Sequence, residues 1–257
     1  MMERVLQTMT VFPDVLFINT SPSLQKLHGP LCTVLAHVAL VGCWDYQQTA
    51  DEPLSLEVGT VLLHDYLKRS DRPLHLIGHG SSGCLAWLYA RRYPERVRSL
   101  TLLAVGPQAT YDWHADYYAR FRRQPCSRLV ILRQMVQGMF GPCPQPLVGE
   151  LVQLLDRDLQ TALSPQTLYQ LVESEAGPVE VPLLVCGSRD DRIIAPETMQ
   201  GWQAWLKPED ALWLCSSGWH FFHHAHPGWV ARRIVDFWLA VNLQPRDRPR
   251  PLKTLSP

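Results

Sequence analysis

The sequence predicts an α/β architecture: a mostly parallel sheet covered by helices on both faces and interrupted by a helical insertion. Three observations carry that prediction. Short β-branched or apolar runs alternate with helical patterns, as in parallel βαβ units under a doubly covered sheet. Residues 74–83 read LHLIGHGSSG, a strand that passes through glycines straight into a helix. From Pro107 to Pro178 the strand rhythm stops and apolar residues recur at roughly helical spacing.

Taken in order, the strand candidates are Val15 to Asn19, Val38 to Cys43, Leu74 to Gly78, Val97 to Ala104, Pro182 to Gly187 and Ala211 to Cys215. Leu56 to Lys68 and Ser82 to Arg92 read as crossover helices, the second ending near Tyr93-Pro94 because proline disfavours helix in the residue before it. Trp229 to Val241 reads as an amphipathic final helix. In the insertion, about residues 107–178, Trp113, Tyr117, Tyr118, Phe121, Leu132, Met135, Met139 and Phe140 suggest a helical cap lining an apolar pocket, with Trp113, Tyr117, Met135 and Met139 as the pocket residues. By base rate most such aromatics simply pack a cap on a core. Residues 1–243 are expected to form one domain, and the proline-rich, basic stretch 244–257 a disordered tail.

Bulk properties exclude several classes of function. A chain of 257 residues with 46% hydrophobic content can bury one large core. Twenty-four basic and 24 acidic residues balance, leaving no electrostatic footprint for nucleic acid or an anionic membrane. No segment approaches the length that spans a bilayer, and the first residues lack the long apolar core of a secretory signal. The 7 cysteines, without CxxC spacing, read as small buried thiols in a reducing compartment, with neither disulfides nor a zinc site. A cytoplasmic protein without metal or cofactor is the expectation.

The decapeptide at 74–83 resembles the nucleophile elbow of the α/β-hydrolase superfamily, in which small-x-nucleophile-x-small residues turn a strand into a helix. Gly78, His79, Gly80, Ser81 and Ser82 fill those five places in order, so glycine stands where the attacking residue belongs. Glycine adopts positive φ without strain but has no Oγ. The resemblance extends from Val15 to Leu243 and puts the cap between the sixth and seventh strands of the family's sheet. It implies that SRDDRIIAPE is the acid loop, with Asp191 the acid and Asp190 its neighbour and runner-up; both could also be plain turn residues. It implies that SSGWHFFHHAHPGW is the histidine loop, with His220 catalytic and oriented by Asp191. His223, His224 and His226 read as residues of the surface or of a helix start.

Other parts of the pattern are absent. The family usually ends the strand matching VLFIN with His-Gly, and the amide that follows supplies half of the oxyanion hole; Asn19, Thr20 and Ser21 stand there. The glycine-rich turn after the next strand is replaced by CWDYQQTADEP. The amide of Ser81 remains as the other donor because it is backbone. Ser81 itself is a poor substitute nucleophile, since on the first helical turn its side chain points about 100° away from the elbow direction. A hydroxyl at Ser81 or Ser82 also suits a cap that satisfies an orphan helix amide. Cys84, a turn further in, reads as buried and inert.

Three functions follow. One is a pseudo-hydrolase binding an apolar small molecule or a protein partner; another is a hydrolase or lyase in which His220 and Asp191 activate water or remove a proton from substrate. The third is an esterase-like enzyme using Ser81. The words WDYQQTADEP, HDYLKRSDRPLHLIGH and YARRYPERVRSLTLL resemble hydrolase-fold proteins of photosynthetic bacteria, which carry no substrate assignment with them.

Overall fold

Strands with apolar residues at every position need cover on both faces, and Val15, Leu16, Phe17 and Ile18 meet that need by pointing alternately into two separate cores. The computed structural model describes residues 12–46, 55–108, 110–124, 126–166 and 177–243. Its six strands are β1 (Val15–Asn19), β2 (Val41–Asp45), β3 (Leu74–His79), β4 (Val97–Leu103), β5 (Leu183–Ser188) and β6 (Ala211–Cys215). They pair in parallel in the order β2-β1-β3-β4-β5-β6.

Helices α1 (Gly29–Leu35) and α9 (Pro227–Leu243) cover one face, where Phe17, Ile77, Leu103 and Leu184 meet Leu31, Leu35, Val230 and Ile234. The other face packs on α2 (Leu56–Leu67) and α3 (Ser81–Arg92), with Leu63, Leu67, Leu85 and Trp87 against Leu16, Leu76, Leu100 and Leu183. That same core runs on into the insertion helices α4 (Trp113–Arg123), α5 (Arg128–Phe140) and α6 (Gln145–Thr161), which lie between β4 and β5 in this chain's own count. Two short helices, α7 (Pro196–Met199) and α8 (Phe222–Ala225), follow β5 and β6. The chain runs outward from β1 to β2 and then returns to β3, so the switch point lies between the carboxyl ends of β1 and β3, where open α/β sheets bind ligands.

Most strand ends fall within a residue or two of the expected ones. Val38 to Leu40 is different: it continues the turn after α1, where the amides of Val38 and Ala39 donate to the Leu35 carbonyl, and β2 starts only at Val41. Cys43 is exposed rather than buried, because β2 is an edge strand covered incompletely; Cys186 and Cys215 are buried, and all seven cysteines are free. Burial pushes the thiol of Cys84 up to about 12, which leaves it unreactive. Residues 167–176 of the expected insertion and the tail 244–257 lie outside the described residues. Among the described residues no helix is long and apolar enough to cross a membrane.

The crossing of β3 and α3 is the tightest point of the sheet. A Cβ on Gly78 would come within 2.6 Å of the Ser82 carbonyl oxygen, and one on Gly83 within 2.5 Å of Val105 Cγ2. A Cβ on Gly80 would meet nothing within 4 Å, although its φ of +52° disfavours any side chain. Gly78→Ala is therefore expected to cost about 3 kcal/mol of stability through overpacking against backbone, and Gly80→Ala only about 1–2 kcal/mol through strain. Urea unfolding of both variants checks the order; equal losses would contradict it.

Candidate active site

The turn between β3 and α3 sets Gly80 at φ +52° and ψ −126°, with its amide donating to the Leu103 carbonyl at 3.1 Å. Helix α3 begins at Ser81, whose amide is among the first of the helix and has no intrahelical acceptor. The Ser81 hydroxyl does not cap the helix. It donates to Asp112 Oδ2 at 2.5 Å, and Ser164 Oγ donates to the same oxygen at 2.9 Å. Asp112 Oδ1 accepts from the Ala115 amide at 3.0 Å and so caps α4, which fixes the start of the insertion directly beside the elbow. The Ser82 hydroxyl likewise serves a distant group, accepting from the Thr20 amide at 2.9 Å. The expectation that these hydroxyls satisfy their own helix is thereby corrected: each reaches across to another segment.

The end of β1 is closed by its own side chain. Asn19 Oδ1 accepts from the Ser21 amide at 3.1 Å, while Asn19 Nδ2 donates to Asp45 Oδ1 at 2.7 Å and is held there. Both amides that follow β1, Thr20 and Ser21, are therefore already bound within the protein.

Asp191 and His220 come from the loops after β5 and β6 and meet in the interior. His220 Nδ1 lies 2.9 Å from Asp191 Oδ2, and both side chains are fully buried. Asp191 Oδ1 accepts from the amides of Ile193 at 2.8 Å and Ile194 at 3.1 Å, so the carboxylate is oriented from behind. With Nδ1–H given to Asp191, Nε2 carries the ring's lone pair; it is buried and has no partner among the described residues. The His220 amide donates to the Met139 carbonyl at 3.1 Å, tying the histidine loop to α5. Asp190 accepts from the amides of Gly218 and Trp219 and from Ser188 Oγ. Burial pushes the Asp190 carboxyl up, but these hydrogen bonds outweigh it and hold the group below the ordinary carboxylate value. Asp190 thus braces the histidine loop, while Asp191 faces the ring.

His223 stands at the start of α8, one of its two expected places, but it is fully buried and not at the surface. Its Nε2 pairs with His28 Nδ1 at 2.9 Å, and its ring lies 4.8 Å from that of His79. His79 in turn sits 4.8 Å from the ring of His220 and donates Nε2–H to the His220 carbonyl at 3.1 Å. Four imidazoles thus gather behind the elbow, packed on Phe17 and Phe221. His224 and His226 lie nearer the surface, bonded to the Leu27 carbonyl and to Ser217. Among the described residues no group of three or more His, Cys, Asp or Glu could hold a metal ion.

Trp113, Tyr117, Met135 and Met139 are all buried, and they belong to one apolar cluster with the sheet. Asp112, Asp116 and Arg120 follow at four-residue spacing along α4, a face that begins at the Ser81 hydroxyl. Arg120 Nε donates to Asp116 Oδ2 at 2.8 Å. Further along, His114 Nε2 lies 3.2 Å from Asp158 Oδ2, both buried. Sequence reasoning missed Asn19 as an acceptor, Asp112 and the buried imidazoles. Only Asp112 left a local signal, a capping aspartate before WHAD.

The parallel order, the turn between β3 and α3 and the loops after β5 and β6 define an α/β-hydrolase architecture. The chain belongs to the alpha/beta hydrolase family, whose sequence model matches residues 15–233. It is similar to the uncharacterized protein alr2406 of Nostoc sp. (strain PCC 7120 / SAG 25.82 / UTEX 2576), with 40% identity over 232 residues, 90% of this chain and 93% of that protein. It is also similar to the uncharacterized protein sll0249 of Synechocystis sp. (strain ATCC 27184 / PCC 6803 / Kazusa), with 41% identity over 238 residues, 93% of this chain and 95% of that protein. Among solved structures it resembles a thermophilic esterase, at TM-score 0.66 and 16% identity over 90% of this chain and 91% of the esterase. It also resembles olei00960, a hydrolase from Oleispira antarctica, at TM-score 0.69 and 16% identity over 90% and 91% of the two chains. At such identities the likeness concerns the fold.

The imidazole cluster makes stability depend on pH. Burial pushes His28 down to about 3 and holds His79 and His223 well below their ordinary value. These rings are neutral in the folded chain but take protons in the unfolded one below about pH 6.5. Stability therefore falls as pH drops below 6.5, by about 1.4 kcal/mol per pH unit for each ring. His114 works in the opposite sense: burial lowers it, but the Asp158 hydrogen bond together with the charges of Asp112 and Asp158 outweighs burial and raises it, so its contribution grows as pH falls. Three rings against one leave a net loss, and calorimetry between pH 7.5 and 5.5 should record a falling Tm. His223→Gln should flatten that dependence; an unchanged slope would remove the cluster from the explanation.

Proposed function

We propose that this protein is a hydrolase-fold binding protein whose triad has lost its attacking atom, and that it holds an apolar small molecule between the elbow and a cap formed by α4 to α6. The observation that carries the reading is Gly80: the turn keeps the positive φ of an elbow, with open space where a side chain would project. Supporting it, the Ser81 hydroxyl is committed to Asp112, and the Ser21 amide to Asn19. On this reading the retained Asp191 and His220 orient a ligand, and Trp113, Tyr117, Met135 and Met139 form the apolar side of its site.

One observation favours a second reading, in which His220 acts as a general base on water or substrate without a covalent intermediate: Nε2 is buried and free to accept a proton. His220→Ala and Met135→Trp separate the two. If binding is the function, Met135→Trp should weaken the ligand that copurifies more than His220→Ala does. If base catalysis is the function, His220→Ala should abolish turnover and leave affinity nearly intact. Strong loss of affinity in His220→Ala with none in Met135→Trp, read by calorimetry, would remove the insertion from the site.

A covalent mechanism is tested with a serine-directed fluorophosphonate. Wild-type protein is expected to remain unlabelled and to leave p-nitrophenyl butyrate intact, since losing the nucleophile of a triad removes most of its rate. Gly80→Ser should restore slow labelling at residue 80. Adding Asn19→Gly frees the Ser21 amide and should raise that rate further, up to about 100-fold, the value of one oxyanion donor. Labelling of wild-type Ser81 would overturn the reading. No labelling of a folded Gly80→Ser variant would mean that His220 does not reach the elbow.

A further inference from the structure

The edge of the sheet carries a pair of thiols that neither the elbow nor the loops of Asp191 and His220 use. Cys43 lies on β2, which pairs with β1 alone, and it is the exposed cysteine among the seven. The register sets Cys43 opposite Phe17, so its side chain shares the face on which Phe17 is buried. Val41, two residues earlier, packs on that same core, as the alternation of a strand requires. Helix α1 covers this face. Phe17 stacks on His28 with ring centroids 4.7 Å apart, and Cys32 follows His28 by one helical turn, its amide donating to the His28 carbonyl at 3.1 Å. Cys32 is half-buried against the same core. The strand neighbour of Phe17 thus meets the helix neighbour of His28, and the two thiols lie within hydrogen-bonding reach of one another.

The contact makes the two sulfurs unequal. The hydrogen bond with Cys32 is the largest influence on Cys43 and holds its thiol below the ordinary value, against the opposing effect of burial. The same contact, followed by burial, pushes the Cys32 thiol up. Cys32 therefore keeps its proton and donates toward Cys43, whose sulfur is both the more easily ionised and the more exposed. The thiolate is the nucleophile of cysteine chemistry, and a second thiol beside it can resolve the first oxidation product into a disulfide. Cys84, Cys186 and Cys215, by contrast, are buried.

We propose that Cys32 and Cys43 form a site of reversible oxidation, at which hydrogen peroxide converts the pair into an intramolecular disulfide between α1 and β2. Cys43 Sγ attacks one peroxide oxygen and the O–O bond breaks, which leaves a sulfenic acid at Cys43 and releases the other oxygen as water. Cys32 Sγ then attacks Cys43 Sγ, the S–O bond breaks, and the oxygen leaves with the proton of Cys32 as a second water. Both thiols are oxidised, and one peroxide is reduced to two waters. The product fastens an edge strand, bonded to the sheet on one side only, to the helix that covers it. A thiol reductant reverses it by exchange.

The test treats the reduced full-length protein with hydrogen peroxide, then alkylates it, digests it with trypsin and reads the peptides by mass spectrometry. Residues 27–68 form one tryptic peptide, which holds these two cysteines and no others. In the folded wild-type protein that peptide is expected to become two hydrogens lighter and closed to the alkylating reagent, and dithiothreitol should restore both thiols. In Cys32→Ser the sulfenic acid has no partner and should be captured at residue 43 by dimedone. In Cys43→Ser oxidation of Cys32 should be about tenfold or more slower, because the remaining thiol is the less ionised and less exposed one. The wild-type peptide decides the matter even where a variant does not fold. A wild-type Cys43 that ends as sulfenic or sulfinic acid while Cys32 stays open to alkylation would overturn the pairing. So would a disulfide that forms as fast in urea-unfolded protein, or oxidation that reaches Cys126 or Cys143 first.

Discussion

The crossing of β3 over the start of α3 governs this molecule. Gly78 and Gly83 touch backbone to backbone, and neither position has room for a Cβ. The chain can make so close a crossing only by turning sharply between them, and that turn forces residue 80 to φ +52°. A side chain there stores strain of about 1–3 kcal/mol, which an enzyme offsets by what the side chain does chemically. Glycine adopts the same backbone at no steric cost. The elbow therefore survives as architecture whether or not an attacking atom sits on it. It holds the β3 end at the switch point, and the neighbouring loops are placed against it.

The turn between β3 and α3 sets polar groups in a dry interior, and buried polar groups without partners are expensive. Here they have found other partners. Ser82 takes the Thr20 amide, Asn19 takes the Ser21 amide, and Asp112 takes the hydroxyls of Ser81 and Ser164. These bonds also join segments far apart in sequence: the β1 end to α3, and α3 to the insertion. At Asn19 the side-chain carbonyl holds the Ser21 amide, and an amide bound in this way is closed to any other oxygen. Asn19 is itself held by Asp45 on the edge strand. This clamp extends across the first two strands of the sheet.

How much of this was legible in the sequence differed by the range of the interaction. Strand periodicity and the close-packed glycines are local, so β1, β3, β4, β5 and β6 and the β3 turn were readable from short windows. The α1 turn was not, because Val38 and Leu40 carry strand-like side chains that only the edge position of β2 leaves exposed. That Asp191 and His220 sit on the loops after β5 and β6 could be read from their order along the chain, whereas the bonds within those loops depend on distant partners. Asp190 resembles Asp191 in sequence, yet it bonds the amides of Gly218 and Trp219 while Asp191 faces the ring. His223 read as a residue of the surface or of a helix start, and nothing in HFFHHAH reveals that His28, almost two hundred residues earlier, stands beside it. Pairings of such separation have no periodic signature.

The four imidazoles bear on what His220 can do. His28, His79 and His223 are kept neutral by burial, and none of them has a carboxylate partner among the described residues. His220 alone is paired with one, Asp191, whose second oxygen is already fixed by two amides. These neutral rings supply a polarisable, dry backing to the His220 ring. The arrangement leaves His220 Nε2 buried and without a partner among the described residues, in a ring oriented through Nδ1 by Asp191.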